Sequence, residues 1–222
     1  MFPYPSSRSF LVQFARSPRT IGALVPSSRA LSETMLAPID FARASTIVEF
    51  GPGTGAFTRM IADRKRPDCR YLGIELNHHF VGQLTARFPG LGFVHGSVVD
   101  LGQILRTQRI ATVDAIVSGL PWASLPVSMQ QAVFTEIDAA LGAGGVFVTF
   151  AYLHGLALPG AVALRRHLRR HFADVRRSRP VWANVPPAVA YFCHKAGPMA
   201  ETGPASCQAT DNQAISRPPG PP

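Results

Sequence analysis

Cysteine is scarce: Cys69, Cys193 and Cys207 are the only three in 222 residues, odd in number, far apart and without a CxxC pair. They suggest neither a disulfide framework nor a zinc cage, which suits a reducing cytoplasm, and no metal is expected. Long apolar runs are missing too. Near the start, Phe10-Leu11-Val12 is broken by Gln13 and Arg16 before it reaches the length of a secretory core or a membrane span. Acidic residues are few, 13 against 22 basic ones, a formal net charge of +9. Such an excess favours anionic partners, nucleic acid and anionic lipid surfaces alike. Most of the basic residues are arginines, whose planar guanidinium suits bidentate phosphate binding.

What is present is a 46% hydrophobic chain, enough to bury one sizeable core. Its clearest local feature is Ile47-Val48-Glu49-Phe50-Gly51-Pro52-Gly53-Thr54-Gly55. The run from Thr46 to Phe50 suits a buried strand, and glycines directly after it let a ligand lie against bare backbone. A dinucleotide would bring its pyrophosphate to this turn, where the carboxylate of Glu49 would repel it. S-adenosylmethionine carries an ammonium and a sulfonium instead, and a carboxylate near the turn favours both.

A second acid follows at an informative spacing. Residues 71–76 read as the next strand, and Glu75 stands twenty positions after Gly55. An acid there, ending the second strand of a βαβ unit, is placed to accept both ribose hydroxyls. Gly51, Gly53 and Gly55 with Glu49 and Glu75 therefore form the expected cofactor signature.

The rest of the chain alternates strand and helix. Residues 6–16 and the stretch after Ser27-Ser28, closed by Pro38, read as two N-terminal helices. Helices are expected over 79–87, 129–141 and 160–172, with strands over 92–94, 115–117 and 146–151. Gly142-Ala-Gly-Gly reads as a helix stop, and 146–151 as a strand buried in a parallel sheet. Residues 176–182 and 188–194, joined through Asn184-Val-Pro-Pro, read as an antiparallel edge hairpin. The arginines of 165–179 are a solvated face or an interaction surface. The organisation is thus N-terminal helices over 1–39, one α/β domain over 40–195, and a disordered tail over 196–222 that is too poor in apolar residues to fold.

Open α/β sheets bind ligands at the carboxyl ends of their strands. After the third strand, Ser97 and Val98 lie in a turn able to meet an adenine edge. After the fourth come Ser118, Gly119, Leu120, Pro121 and Trp122, where proline fixes the backbone and carbonyls can accept from an attacking amine. After the fifth, Tyr152 and His154 are the candidate catalytic bases.

Taken together, Glu49 to Gly55, Glu75 and the strand order resemble the class I S-adenosylmethionine-dependent methyltransferases, whose fold is a Rossmann-like sheet, over roughly residues 40–195. Within them, Phe10-Leu-Val-Gln-Phe, Ile21-Gly-Ala-Leu-Val-Pro-Ser-Ser-Arg29, Ser118-Gly-Leu-Pro and Trp182-Ala-Asn-Val-Pro-Pro187 resemble the bacterial soluble-type phospholipid N-methyltransferases. That resemblance implies methyl transfer to the amine of phosphatidylethanolamine, with Arg29 on the lipid phosphate. It also implies a chain attached peripherally to the anionic inner face of the membrane; the N-terminal helices are then a membrane-interface anchor, with Phe10, Leu11 and Phe14 of the first helix in the lipid, or a substrate lid packed on the domain. Ribosomal RNA adenine dimethyltransferases are the alternative, as is a small-molecule methyltransferase. The RNA enzymes have Asn-Leu-Pro and an aromatic where this chain has Gly119-Leu-Pro-Trp. An adenine amine needs an amide oxygen to polarise it, whereas a deprotonated alkyl amine does not, so Gly119 favours the lipid.

Overall fold

The computed structural model describes residues 27–197. The expected helix over 6–16, with Phe10, Leu11 and Phe14, lies outside the described residues, as does the expected disordered tail beyond residue 197. Seven strands make one sheet: β1 (Thr46–Phe50), β2 (Arg70–Glu75), β3 (Gly92–His95), β4 (Val113–Ser118), β5 (Leu141–Tyr152), β6 (Asp174–Arg177) and β7 (Ala188–His194). Their order is β3-β2-β1-β4-β5-β7-β6. The first five are parallel, and β7 runs antiparallel between β5 and β6. Strand order reverses between β1 and β4, which opens the crevice where such sheets take their ligands.

Helices cover both faces, as a parallel sheet requires. On one face lie α1 (Arg29–Leu36), α2 (Ala56–Arg64) and α3 (His78–Arg87); on the other lie α4 (Leu101–Thr107), α5 (Val127–Ala140) and α6 (Pro159–His171). Side-chain alternation along β1 divides the core accordingly. Ile47 joins Leu31, Met35, Phe57 and Ile61 under α1 and α2, while Val48 and Phe50 join Leu101, Val133, Phe134 and Leu164 under α4 to α6. Glu49 shares the face of Ile47 and is fully buried there.

Local chemistry starts the helices where the sequence suggests. Ser28 caps α1, its Oγ accepting from the Leu31 amide at 3.1 Å, and Pro159 opens α6, where no amide partner is needed. Two boundaries and one element differ from expectation. The edge strand occupies 174–177 instead of 176–182: Pro180 has no N–H to give a ladder, and Val181 keeps only an isolated bridge to Ala188. The glycines 142–145 belong to β5 and not to a helix stop. Pairing with β4 passes from Val113–Leu141 directly to Ala115–Val146, so they form a bulge at the entry of the strand, with Gly144 at φ 74°. The short helix α4 was not expected; it follows directly on a single 3₁₀ turn at 98–100.

Candidate active site

The turn after β1 is left-handed three times, at Gly51 (φ 64°), Gly53 (55°) and Gly55 (82°). Gly55 caps α2, and a Cβ there would meet Phe88 Cε2 at 3.0 Å and Leu84 Cδ2 at 3.1 Å. Both its φ and its surroundings therefore require glycine. The Gly51 amide donates to Ile74 O at 2.9 Å, which ties the turn to β2.

Glu75 completes this cradle. It is buried at the end of β2, and its Oε2 accepts from the Gly53 amide while Oε1 accepts from the Asn77 amide, each at 2.9 Å. Two backbone bonds fix the carboxylate plane and leave about two of its four acceptor positions, the number a vicinal diol fills. Glu49 lies beneath the turn. Its Oε2 accepts from Tyr71 OH at 2.6 Å and from Thr58 Oγ1 at 2.8 Å, whereas Oε1 is buried without a hydrogen-bond partner. Burial pushes this carboxyl up to about 7, against the opposing pull of the Tyr71 and Thr58 bonds. Tyr71 is held well above its ordinary range, first by burial and then by Glu49. With no exposure of its own, Glu49 is a buried carboxyl beneath the turn, and Oε1 is its one unpartnered oxygen.

The loop after β4 closes the other side. Gly119 N donates to Phe50 O at 2.8 Å, and a Cβ at 119 would stand 2.9 Å from Gly51 O and 3.4 Å from Phe50 O. Both neighbours are backbone, so the two ligand loops touch at a point where no side chain fits. The physical reason for glycine at 119 is thus contact between loops, in addition to the absence of an amide.

Two neighbours of Gly119 behave differently from expectation. Trp122, a candidate substrate contact, is 1% exposed; its ring packs on Phe134 and Phe147 and its Nε1 donates to Ser118 Oγ at 3.0 Å. It is an internal brace of the loop, because an indole this large at a sheet face is worth more in the core. Ser118, a candidate cofactor contact, is fully buried and its hydroxyl is turned to Trp122 and the Leu120 amide. Leu120 and Pro121 remain partly exposed. At the end of β3, Ser97 is buried and caps the 3₁₀ turn, and the Val98 side chain is in the core, so only backbone of Val98 is suited to a ligand there.

A line of rings leads from this crevice across the end of β5. Phe57 meets Phe150 edge to face at 6.1 Å, Phe150 meets Tyr152 at 5.4 Å, and Tyr152 stacks on His154 at 5.6 Å and 11°. Burial raises the half-buried Tyr152 phenol above its ordinary value, which disfavours the phenolate that the expected role as a base would need. His154 is exposed.

Sequence reasoning missed how two other segments meet. The Ser28 amide donates to Asn184 Oδ1 at 2.8 Å, and Asn184 Nδ2 donates to Pro186 O at 2.7 Å. Asn184 is 2% exposed and 156 residues away from Ser28, so no local pattern could have joined them; the signal was only that both segments carried a resemblance. Arg29, beside this junction, is exposed and pairs with Glu33 at 2.8 Å, so the structure brings it to no other candidate residue.

A glycine cradle with a buried acid beneath and another at the second strand's end, in a 3-2-1-4-5-7-6 sheet, defines a nucleoside-binding enzyme of methyltransferase architecture. Comparison with known proteins agrees. A methyltransferase domain model matches residues 48–147. The ornithine lipid N-methyltransferase of Singulisphaera acidiphila is 36% identical over 187 residues, covering 83% of this chain and 93% of that one. The chain belongs to the S-adenosylmethionine-dependent methyltransferases, and S-adenosylmethionine is its methyl donor. The dimethyladenosine transferase of Chaetomium thermophilum is 28% identical over 96 residues, 43% of this chain and 23% of that protein. In fold, the O-methyltransferase TomG from Streptomyces achromogenes superposes with a TM-score of 0.61 at 16% identity, covering 89% of this chain and 92% of its own.

Proposed function

We propose that this enzyme methylates the primary amine of a membrane-lipid headgroup. The observation that carries the reading is similarity to a lipid N-methyltransferase along nearly the whole length of that protein. Ornithine lipid is the acceptor this relative supports. Phosphatidylethanolamine is the second reading, supported by Ile21 to Arg29, Ser118 to Pro121 and Trp182 to Pro187, since Ser28 and Asn184 of two of these segments are hydrogen-bonded. The RNA alternative loses support from Gly119, where an asparagine would collide with the Gly51 carbonyl.

The donor fits the residues present. Glu75 would hold the ribose hydroxyls, Gly51, Gly53 and Gly55 the methionyl portion, and the Val98 backbone, in the turn that Ser97 caps, the adenine edge, with Glu49 in its ionised form supplying negative potential from below and Ser118 fixing the β4 loop through Trp122. S-adenosylmethionine supplies an electrophilic methyl group on a sulfonium. The chain's own task is to orient an uncharged amine, which the backbone of Gly119, Leu120 and Pro121 would do, and to receive its proton. His154 is the proposed proton acceptor, positioned by its stack on Tyr152.

Lipid access is supported by what surrounds the crevice. Trp182 and Val185 are each 68% exposed on the β6–β7 loop, and Leu158 is 48% exposed after β5, all at the carboxyl edge of the parallel strands. Exposed apolar groups of this kind suit a membrane interface. No helix among the described residues is long and apolar enough to cross a membrane, so attachment to an anionic inner leaflet would be peripheral, with Arg29 near headgroups. The test is methyl transfer from labelled donor to mixed vesicles holding ornithine lipid and phosphatidylethanolamine, with products separated by lipid class. Label in either supports lipid N-methylation and identifies the acceptor; label in neither contradicts it.

A further inference from the structure

A second pocket of about 310 Å³ lies between α6 and the antiparallel edge of the sheet. It is lined by Arg165 and Arg169 of α6, Arg176 and Arg177 of β6, Leu168, Val175 and Tyr191. Four strand spacings separate β6 from β1, about 19 Å, so this pocket is not part of the donor crevice. No carboxylate lines it. Arg176 pairs with Asp174 at 2.8 Å and Arg165 donates to Leu156 O at 2.8 Å, each with further N–H groups to spare. Arg169 and Arg177 have no hydrogen-bond or ion-pair partner among the described residues.

The pocket wall holds a second, independent sign of a ligand. Tyr191 is 4% exposed, and its hydroxyl is buried with no partner. A buried hydroxyl without an acceptor is unfavourable, and phenylalanine would serve the same packing without that penalty. A hydroxyl donor on the same side of the sheet as Arg177 and beneath Arg165 and Arg169 of α6, with no negative charge of the protein's own in the lining, lacks one thing: an oxyanion.

We propose that this pocket is a phosphate-binding site, taking the phosphate ester of a phospholipid headgroup or of a soluble phosphoester. Guanidinium forks grip tetrahedral oxyanions with paired hydrogen bonds, and the Tyr191 hydroxyl donates to a further oxygen. The space equals about ten water volumes, room for a phosphate with its attached alcohol. Its flanks continue the same charge, with Arg166 and Arg170 on α6 and Arg179 after β6, which suits a negatively charged surface. The site is independent of the acceptor lipid, so it stands or falls separately from the methylation assay.

The experiment compares the wild-type chain, Tyr191→Phe, the double variant Arg169→Gln with Arg177→Gln, and a charge-matched control, Arg64→Gln with Arg106→Gln on α2 and α4. Thermal melting is followed with glycerol 3-phosphate against chloride at equal ionic strength, and flotation with phosphatidylglycerol vesicles against phosphatidylcholine vesicles. S-adenosylmethionine binding is the folding control. Wild type and the charge-matched control should respond to phosphate, the Arg169/Arg177 variant should bind at least tenfold more weakly, and Tyr191→Phe should lose several-fold in binding while melting no lower without ligand. Response to glycerol 3-phosphate would assign a soluble phosphoester as sufficient; response to phosphatidylglycerol vesicles alone would assign the headgroup at a surface. Equal losses in the pocket variant and its charge-matched control, an undiminished response in Tyr191→Phe, or preferential binding of single-stranded RNA lost in the same pocket variant would overturn the proposal.

Discussion

Replacing Glu49 by glutamine removes one titration from the centre of the fold. In the unfolded chain the carboxyl ionises near 4.5, and in the fold at about 7, because burial outweighs the Tyr71 and Thr58 hydrogen bonds. Across that interval the unfolded state binds fewer protons than the native state, so stability falls as pH rises. At about 1.4 kcal/mol per unit the loss is about 3 kcal/mol, absent below pH 4.5 and complete above pH 7. For a chain of this length that is roughly 6–12 °C in melting temperature. The glutamine keeps an oxygen for Tyr71 and Thr58 and cannot ionise, although its amide faces the place where Oε1 has no partner and costs about 1–2 kcal/mol there. Chemical denaturation at pH 5, 6, 7 and 8 should therefore show wild-type stability dropping relative to Glu49→Gln, the difference narrowing or changing sign towards pH 8. Parallel curves for the two proteins would refute the assignment of a proton to Glu49.

Three further perturbations follow from the contacts. Gly119→Ala places a Cβ 2.9 Å from Gly51 O and should weaken S-adenosylmethionine binding at least tenfold, measured by calorimetry; unchanged affinity would mean that the two loops move apart freely. Glu75→Gln keeps the size of the side chain and loses charge-assisted bonds to the Gly53 and Asn77 amides and, on the proposed reading, to the ribose, so donor affinity should fall by about 1.5–3 kcal/mol. Asn184→Ala removes the acceptor of the Ser28 amide and the donor to Pro186 O, and should lower unfolding free energy by about 1–3 kcal/mol; a loss below 0.5 kcal/mol would show that the junction carries little.

The glycine turn and its two acids were legible because they are local. Glu49, the three glycines and Glu75 fall within 27 residues, and spacing alone carries them to the ends of adjacent parallel strands. Long-range packing decided the rest. Trp122 stands in a ligand loop by sequence, yet Phe134 and Phe147, from α5 and β5, draw its ring into the core. The glycines 142–145 looked like a helix stop until pairing with β4 made them a bulge. Arginines of 165–179 read as one solvated face, and only the register that sets Arg177 opposite Tyr191 on β7 gives them a common pocket. The junction of Ser28 and Asn184 had no signature either, since each is an ordinary polar residue in its own segment.

The destination of the methyl group, a lipid amine, can be read directly. Purified protein is incubated with labelled S-adenosylmethionine and, in separate reactions, vesicles of amine-bearing lipid, ribosomal RNA and a lipid-free metabolite extract. Label should appear in organic-extractable material with the mobility of an N-methylated lipid, and in neither of the other two. Label in RNA or metabolites with none in lipid would contradict it.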